Sequence, residues 1–135
     1  MVKVVFISQS KRAGASMTRQ NKYNVSEKNE RTISGIVFDS KAELQRFAEL
    51  KILEKQGVIY NLSLQPKFML QQAFFDNTGK KRRALYYIAD FMYTDKQGLC
   101  IVEDVKGYRT TDYKLKEKLF RYKYPAIIFK EICKY

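Results

Sequence analysis

Two apolar runs joined by a short polar turn constrain this chain more than any other feature. The first is Leu85-Tyr86-Tyr87-Ile88-Ala89-Asp90-Phe91-Met92-Tyr93 and the second is Leu99-Cys100-Ile101-Val102-Glu103-Asp104-Val105-Lys106, with Asp95-Lys96-Gln97-Gly98 between them. In both runs apolar residues occupy both alternating faces, the pattern of a strand covered on each side. The turn residues join them as an antiparallel hairpin. A hairpin buried on both faces needs other elements packed above and below it, which excludes a one-sided sheet open to water.

The rest of the chain supplies those elements. Asp39 and Ser40 open a helix running to about Gln56, with Leu44, Phe47, Ala48 and Ile52 as its apolar side, Lys51 interrupting it and Gly57 ending it. Strand-like segments follow at 62–73, 84–93 and 99–106, the first two separated by the turn Asp76-Asn77-Thr78-Gly79. A second helix over 112–124 places Leu115, Leu119 and Tyr122 on one face and Lys114, Lys118 and Arg121 on another. Pro125 ends it, and 126–132 reads as a last strand. The expected fold is therefore α/β, in the order α-β-β-β-α-β, a mixed sheet flanked by helices. The domain organisation is a basic N-terminal arm over 1–35, with a short strand at 2–8, followed by one folded domain over 36–135.

Composition decides which chemistry this fold can carry. The 135 residues include no histidine, which removes serine–histidine triads, cysteine–histidine pairs and histidine metal sites. Cys100 and Cys133 are too few for a disulfide framework, lack CxxC spacing, and are expected to pack as small buried hydrophobes. No segment approaches the ~18 apolar residues of a membrane span, and no signal-like run opens the chain, so the expectation is a cytoplasmic protein with no membrane partner. The 26 basic residues outnumber 14 acidic ones, a net charge of +12 that calls for a polyanion, nucleic acid first. The surplus is +5 over 1–35, +1 over 36–105 and +6 over 106–135, so acidic residues gather between basic ends.

Those acidic residues are the candidate site. A hairpin centred on Gln97 sets Asp90 opposite Asp104 on one face, with Cβ atoms about 4.5 to 5.5 Å apart. The period of two puts Lys106 on the same face and Glu103 on the other, where pairing with a basic neighbour is its default role. Two carboxylates so close repel each other, and a cation between them relieves this. Lys106 is one answer; a magnesium ion, which takes one or two carboxylates plus waters and phosphate oxygens, is a better one. An ion held by Asp90 and Asp104 polarises a phosphodiester and acidifies a bound water, while Lys106 stabilises developing negative charge. A buried Asp–Lys salt bridge is the competing explanation.

Around this pair stand further candidates, each with an ordinary alternative. Glu43 completes an S-x-x-E capping box with Ser40, yet shares a helical face with Phe47 and Leu50 that turns inward. Gln65, before Pro66, is either a residue orienting the site or a polar residue at a strand edge. Gly107 would allow a sharp turn that brings Arg109, Thr110 and the start of the second helix close, with Lys114, Lys116 and Lys118 extending a phosphate-binding surface. Arg82 and Arg83 in Lys80-Lys81-Arg82-Arg83 form a second basic patch. Tyr86, Tyr87, Tyr93 and Tyr108 are candidates for base stacking or for core filling.

Asp90 in IADF and Asp104-Val105-Lys106 in VEDVKG resemble the PD-(D/E)xK nuclease signature, with Ala89 where that signature has proline. More closely, FDSKAELQRFAELKILEKQG, NLSLQPKF, IADFMY and VEDVKGYRT, in that order, resemble a small phage-encoded endonuclease-like family long catalogued as a domain of unknown function. The resemblance covers about 36–132. It implies a restriction-endonuclease-like core and metal-dependent hydrolysis of DNA by Asp90, Asp104 and Lys106, leaving 5′-phosphate ends. It also implies a Glu43 beside the metal, Mg2+ with Mn2+ able to substitute, and a bacterial cytoplasm as the place of action. Resemblance to small junction-resolving members of the superfamily implies branched DNA, such as Holliday junctions, and a homodimer. The alternative reading is a non-catalytic nucleic-acid-binding module in which the aspartates merely pair with Lys106.

Overall fold

The computed structural model describes residues 5–6, 28–33 and 35–133 of the chain. In chain order the elements are β1 (Val5–Phe6), a 3-10 turn (Asn29–Arg31), β2 (Thr32–Ile33), β3 (Ile36–Val37), α1 (Lys41–Lys55), β4 (Ile59–Leu64) and β5 (Lys67–Gln71). Then come β6 (Phe74–Phe75), β7 (Lys81–Arg82), β8 (Leu85–Ile88), β9 (Phe91–Asp95), β10 (Cys100–Lys106), α2 (Thr111–Lys123) and β11 (Ile128–Cys133). The fold is α/β, with a mixed four-stranded sheet in the order β11-β10-β9-β4. Strand β10 is antiparallel to β9 and parallel to β11, the latter reached through α2 as a crossover connection. Of the arm expected over 1–35, residues 1–4, 7–27 and 34 lie outside the described residues. Within the described part, β1 and β2 flank β3 in a small antiparallel sheet.

The hairpin register matches the sequence expectation. Cys100 faces Thr94, Glu103 faces Phe91, and the next step sets Asp104 against Asp90. Asp95 builds the turn: its Oδ1 accepts from the N–H groups of Gln97 and Leu99, both at 2.9 Å, and Gly98 takes the required φ of 82°.

Residues of β10 alternate between two cores. Ile101 and Val105 pack with Phe47 and Leu50 of α1, while Val102 packs with Tyr113 and Phe120 of α2, so the helices cover opposite faces. Five consecutive residues, Ile101 to Val105, are buried, including both acidic ones.

Both helices start where their caps dictate. Ser40 Oγ accepts from Glu43 N–H at 3.1 Å and Thr110 Oγ1 from Tyr113 N–H at 3.0 Å. Gly57, at φ 73°, ends α1, with Gly57 N–H bonded to Glu54 O and Val58 N–H to Leu53 O.

The structure corrects several expectations about packing. The buried residues of α1 are Glu43, Phe47 and Leu50, while Ile52 is 57% exposed: the inward face includes charged positions that a purely apolar pattern passes over. In α2 the docking residues are Tyr113 and Phe120, and Leu115 and Tyr122 are 56% and 87% exposed. Phe120 wins because its ring meets Phe68, Tyr87, Tyr124 and Phe129 with centroids 4.8 to 5.8 Å away. Cys133 is exposed beside Arg109 and Glu131, and Cys100 is half-buried. Gly107 has no positive φ and a Cβ there would meet nothing, so the turn after Lys106 does not depend on glycine.

Candidate active site

Strands β4–β5 and β8–β9 are two long strands, each broken at the same level. Leu64 pairs with Phe91 and Lys67 with Ile88, and across the break Gln65 N–H bonds Asp90 O at 2.9 Å while Ala89 N–H bonds Pro66 O at 3.1 Å. Asp90 N–H still reaches Glu103 O of β10 at 3.1 Å, the last such link before β8 parts from β10. The break exchanges the faces: Tyr87 and Ala89 belong to the α2 core, Phe91 and Tyr93 to the α1 core. Asp90 sits at the crossover. Opposite it, Gln65 adopts φ 50°, a left-handed conformation costing a non-glycine residue on the order of 1–3 kcal/mol and made worse by the following proline.

At this fork the two aspartates are each pinned by one oxygen. Asp90 Oδ2 accepts from Val105 N–H at 2.6 Å, and Asp104 Oδ2 accepts from the Tyr87 hydroxyl. The other oxygens, Asp90 Oδ1 and Asp104 Oδ1, are buried without a hydrogen-bond partner. Lys106 Nζ lies 3.2 Å from Asp104 Oδ1, an ion pair by distance but off the line of a hydrogen bond. Glu43 Oε2 and Gln65 Nε2 are also buried and unpartnered, so four of the five such atoms among the described residues belong to these four side chains.

Burial pushes the Glu43 carboxyl up to about 8, and the charges of Asp39 and Asp104 add to the effect while Lys106 opposes it. Burial likewise raises Asp90 well above the usual carboxylate range, helped by the charges of Asp104 and Glu43. Tyr87 is held protonated, first by burial and then by the Asp104 charge, which keeps its hydroxyl a donor. Among the described residues no three Asp, Glu or Cys side chains form a group that could hold a metal ion. Asp90 and Asp104 could hold a divalent ion that keeps waters and substrate oxygens: each has one buried oxygen without a hydrogen-bond donor, and Lys106 lies 3.2 Å from that of Asp104.

The structure thus brings Glu43, Gln65, Asp90, Asp104 and Lys106 together. The backbone N–H of Glu43 is held by the Ser40 cap, while its carboxyl is buried close enough to Asp104 and Asp90 to feel and perturb their charges. Glu103, fully buried, lies on the α1 face as expected and takes its default role. Arg46 Nε and Nη2 donate to Oε2 and Oε1 at 2.9 and 2.7 Å, and the Tyr93 hydroxyl donates at 2.6 Å.

Of the candidates for nucleic-acid binding, Lys116 and Thr110 line a pocket with Lys106, whereas Lys114 and Lys118 project from the exposed side of α2. Arg109 is paired with Glu131 at 2.5 Å. Arg82 is held by Asp76 at 3.0 Å within its own hairpin, and Arg83 is exposed beside it. Tyr87 and Tyr93 are buried and give their hydroxyls to acidic side chains, which removes them as stacking surfaces; Tyr86 and Tyr108 stay exposed.

Sequence reasoning missed the structural roles of Tyr87, Arg46 and Tyr113, whose ring lies 4.6 Å from Lys106 Nζ. The available signal was a tyrosine in a doubly covered strand, whose hydroxyl must find a buried partner.

No helix among the described residues is long and apolar enough to cross a membrane. A family model described as "Protein of unknown function (DUF1064)" matches residues 20–135. No curated protein and no solved structure matches the chain.

Proposed function

The chain belongs to the DUF1064 family, and we propose that it is a metal-dependent DNA endonuclease built on a restriction-endonuclease-like core of the PD-(D/E)xK kind. The observation that carries this reading is the pair of buried aspartates on adjacent strands, each fixed through one oxygen and each with its other oxygen lacking a hydrogen-bond donor.

Asp90 and Asp104 would hold Mg2+ or Mn2+, which when bound supplies polarisation of the phosphodiester and acidification of a water. The chain's own groups do the positioning. Val105 N–H and the Tyr87 hydroxyl orient the two carboxylates, and Glu43 brings a third carboxyl, raised to about 8 by burial, from the α1 side. Lys106, 16% exposed at the side chain, stands where it can meet negative charge developing on a phosphate oxygen. Branched DNA as substrate, a homodimer and the cytoplasm of a bacterial host complete the proposal; the first two rest on resemblance to small junction-resolving members of the superfamily and the last on resemblance to a phage-encoded family. The 3.2 Å Asp104–Lys106 pair favours a second reading, a binding module whose aspartates are structural.

Wild type, Asp104→Asn and Lys106→Ala incubated with four-way junction, linear duplex, single-stranded DNA and RNA, each with Mg2+, Mn2+ or EDTA, separate the two. The nuclease reading expects metal-dependent cutting of DNA, reduced by orders of magnitude in both variants while binding persists. Equal cleavage by wild type and Asp104→Asn refutes it, and junction binding with no cutting by any form leaves the binding module.

A further inference from the structure

Beside the aspartates, on the α2 side, a pocket of about 200 Å³ opens between β8 and the start of α2. Its walls include Tyr86, Tyr108 and Tyr113 together with Lys106 and Lys116. Lys106 is common to both places: its ammonium is 3.2 Å from Asp104 Oδ1 and 4.6 Å from the centre of the Tyr113 ring. Whatever fills the pocket therefore abuts the group that borders the aspartates.

The lining is specific in its chemistry. Tyr108 is 79% exposed and is the open aromatic face at the mouth, while Tyr86, 38% exposed, carries Lys67 Nζ 4.2 Å from its ring centre. Lys116 is largely enclosed, and its ion-pair partner Asp112, at 3.6 Å and 75% exposed, lines the same pocket. Aromatic faces beside ammonium groups are what a nucleotide needs, rings for its base and cations for its phosphate. A concave site of this size admits a single base. A base still paired and stacked in a duplex presents only its edges to a protein, and entering such a pocket requires leaving the stack.

We propose that this pocket receives one unpaired nucleotide, adjacent to the phosphate that lies against Asp90 and Asp104. The inference rests on the nuclease reading for that phosphate and narrows its substrate class to DNA with an unpaired base beside the scissile bond, as at a flap, a gap edge or a branch point.

The test uses Asp104→Asn protein, which preserves an acceptor for Tyr87, and DNA carrying 2-aminopurine either unpaired at a flap base or paired within a duplex. The expected result is fluorescence quenching only for the unpaired probe. Tyr108→Ala should weaken binding of the flap by about 5- to 100-fold, the usual effect of removing one stacking ring, without changing duplex affinity, and Tyr108→Phe should restore it. Equal affinity for both probes, or flap binding indifferent to Tyr108→Ala, overturns the proposal. Wild-type cleavage in parallel keeps the two readings apart: cutting without quenching removes the pocket but not the nuclease, and quenching without cutting supports the nucleotide site while removing the nuclease.

Discussion

Replacing Glu43 by Gln should make the metal-free protein more stable at pH 8, although it removes a buried side chain's charge from the centre of the candidate site. The Glu43 carboxyl rises from 4.5 to about 8 on folding, chiefly through burial and then through the Asp39 and Asp104 charges. A carboxyl with a raised folded value stabilises the protein fully below pH 4.5, and that contribution is lost as pH climbs through about 8. At 1.36 kcal/mol per pH unit, the loss reaches roughly 4 kcal/mol by pH 8, before any relaxation around the charge. For a chain of this length that corresponds to a fall in Tm on the order of 10 °C. Asp90 adds a fall of the same sign, and because the Glu43 charge is one of its causes, Glu43→Gln eases that too. Thermal melts followed by circular dichroism from pH 4.5 to 8, in EDTA and in excess Mg2+ or Mn2+, read the effect. In EDTA, wild type should lose stability across this window and Glu43→Gln should lose much less. Divalent ion at pH 8 should restore wild type and help the variant less. A wild-type Tm that is flat or rising over the window in EDTA, or a variant that falls as steeply, refutes the reasoning that unneutralised carboxylates are buried here.

Arg46→Met strands the fully buried Glu103 carboxylate and should cost about 3–5 kcal/mol in urea denaturation, while Arg46→Met with Glu103→Leu should recover most of it. Additive single and double variants would show that Glu103 does not depend on Arg46. Neutralising Lys114 and Lys118 together should flatten the plot of log affinity against log salt by about 2, the contribution of two phosphate contacts. An unchanged slope would turn that side of α2 away from DNA.

The parts of the site that lie on regular strands were legible in the sequence because strand geometry has few choices. One turn, Asp95 to Gly98, fixes the register, and the register alone sets Asp90 against Asp104 and separates Lys106 from Glu103. Cap chemistry was equally local: Ser40 and Thr110 act within their own first turns. Helix orientation was not legible from apolar spacing. In α1 the inward side includes Glu43 and the half-buried Arg46, the latter held by Glu103 of β10, a partner that no local pattern contains. In α2 the stripe Leu115, Leu119 and Tyr122 has good spacing, but the space above β10 is filled by rings, and Phe120 fits it. Nor does a run of apolar residues announce that its two faces exchange at Asp90, since that depends on a left-handed Gln65 in the neighbouring strand.

That exchange explains why the carboxylates gather where they do. An unbroken β8–β9 strand would keep its odd-numbered residues on one face of the sheet; the break sends them to different cores and leaves Asp90 on neither. Its carboxyl can then be held by the β10 backbone at Val105, while Tyr87, now on the α2 side, reaches Asp104. The strand β10 carries its own two acidic residues to opposite faces, and the outcomes differ sharply. Glu103 receives three hydrogen bonds, from Arg46 and Tyr93, whereas Asp104, Asp90 and Glu43 each retain a buried oxygen without a hydrogen-bond donor. The same chain therefore satisfies a buried carboxylate on one side of a strand and leaves three under-satisfied near the other. Burying them without donors is costly, a cost that well-packed apolar residues of the same size would avoid. The three under-satisfied oxygens are what the proposed cation would relieve, and the left-handed Gln65 lies at the same level of the sheet.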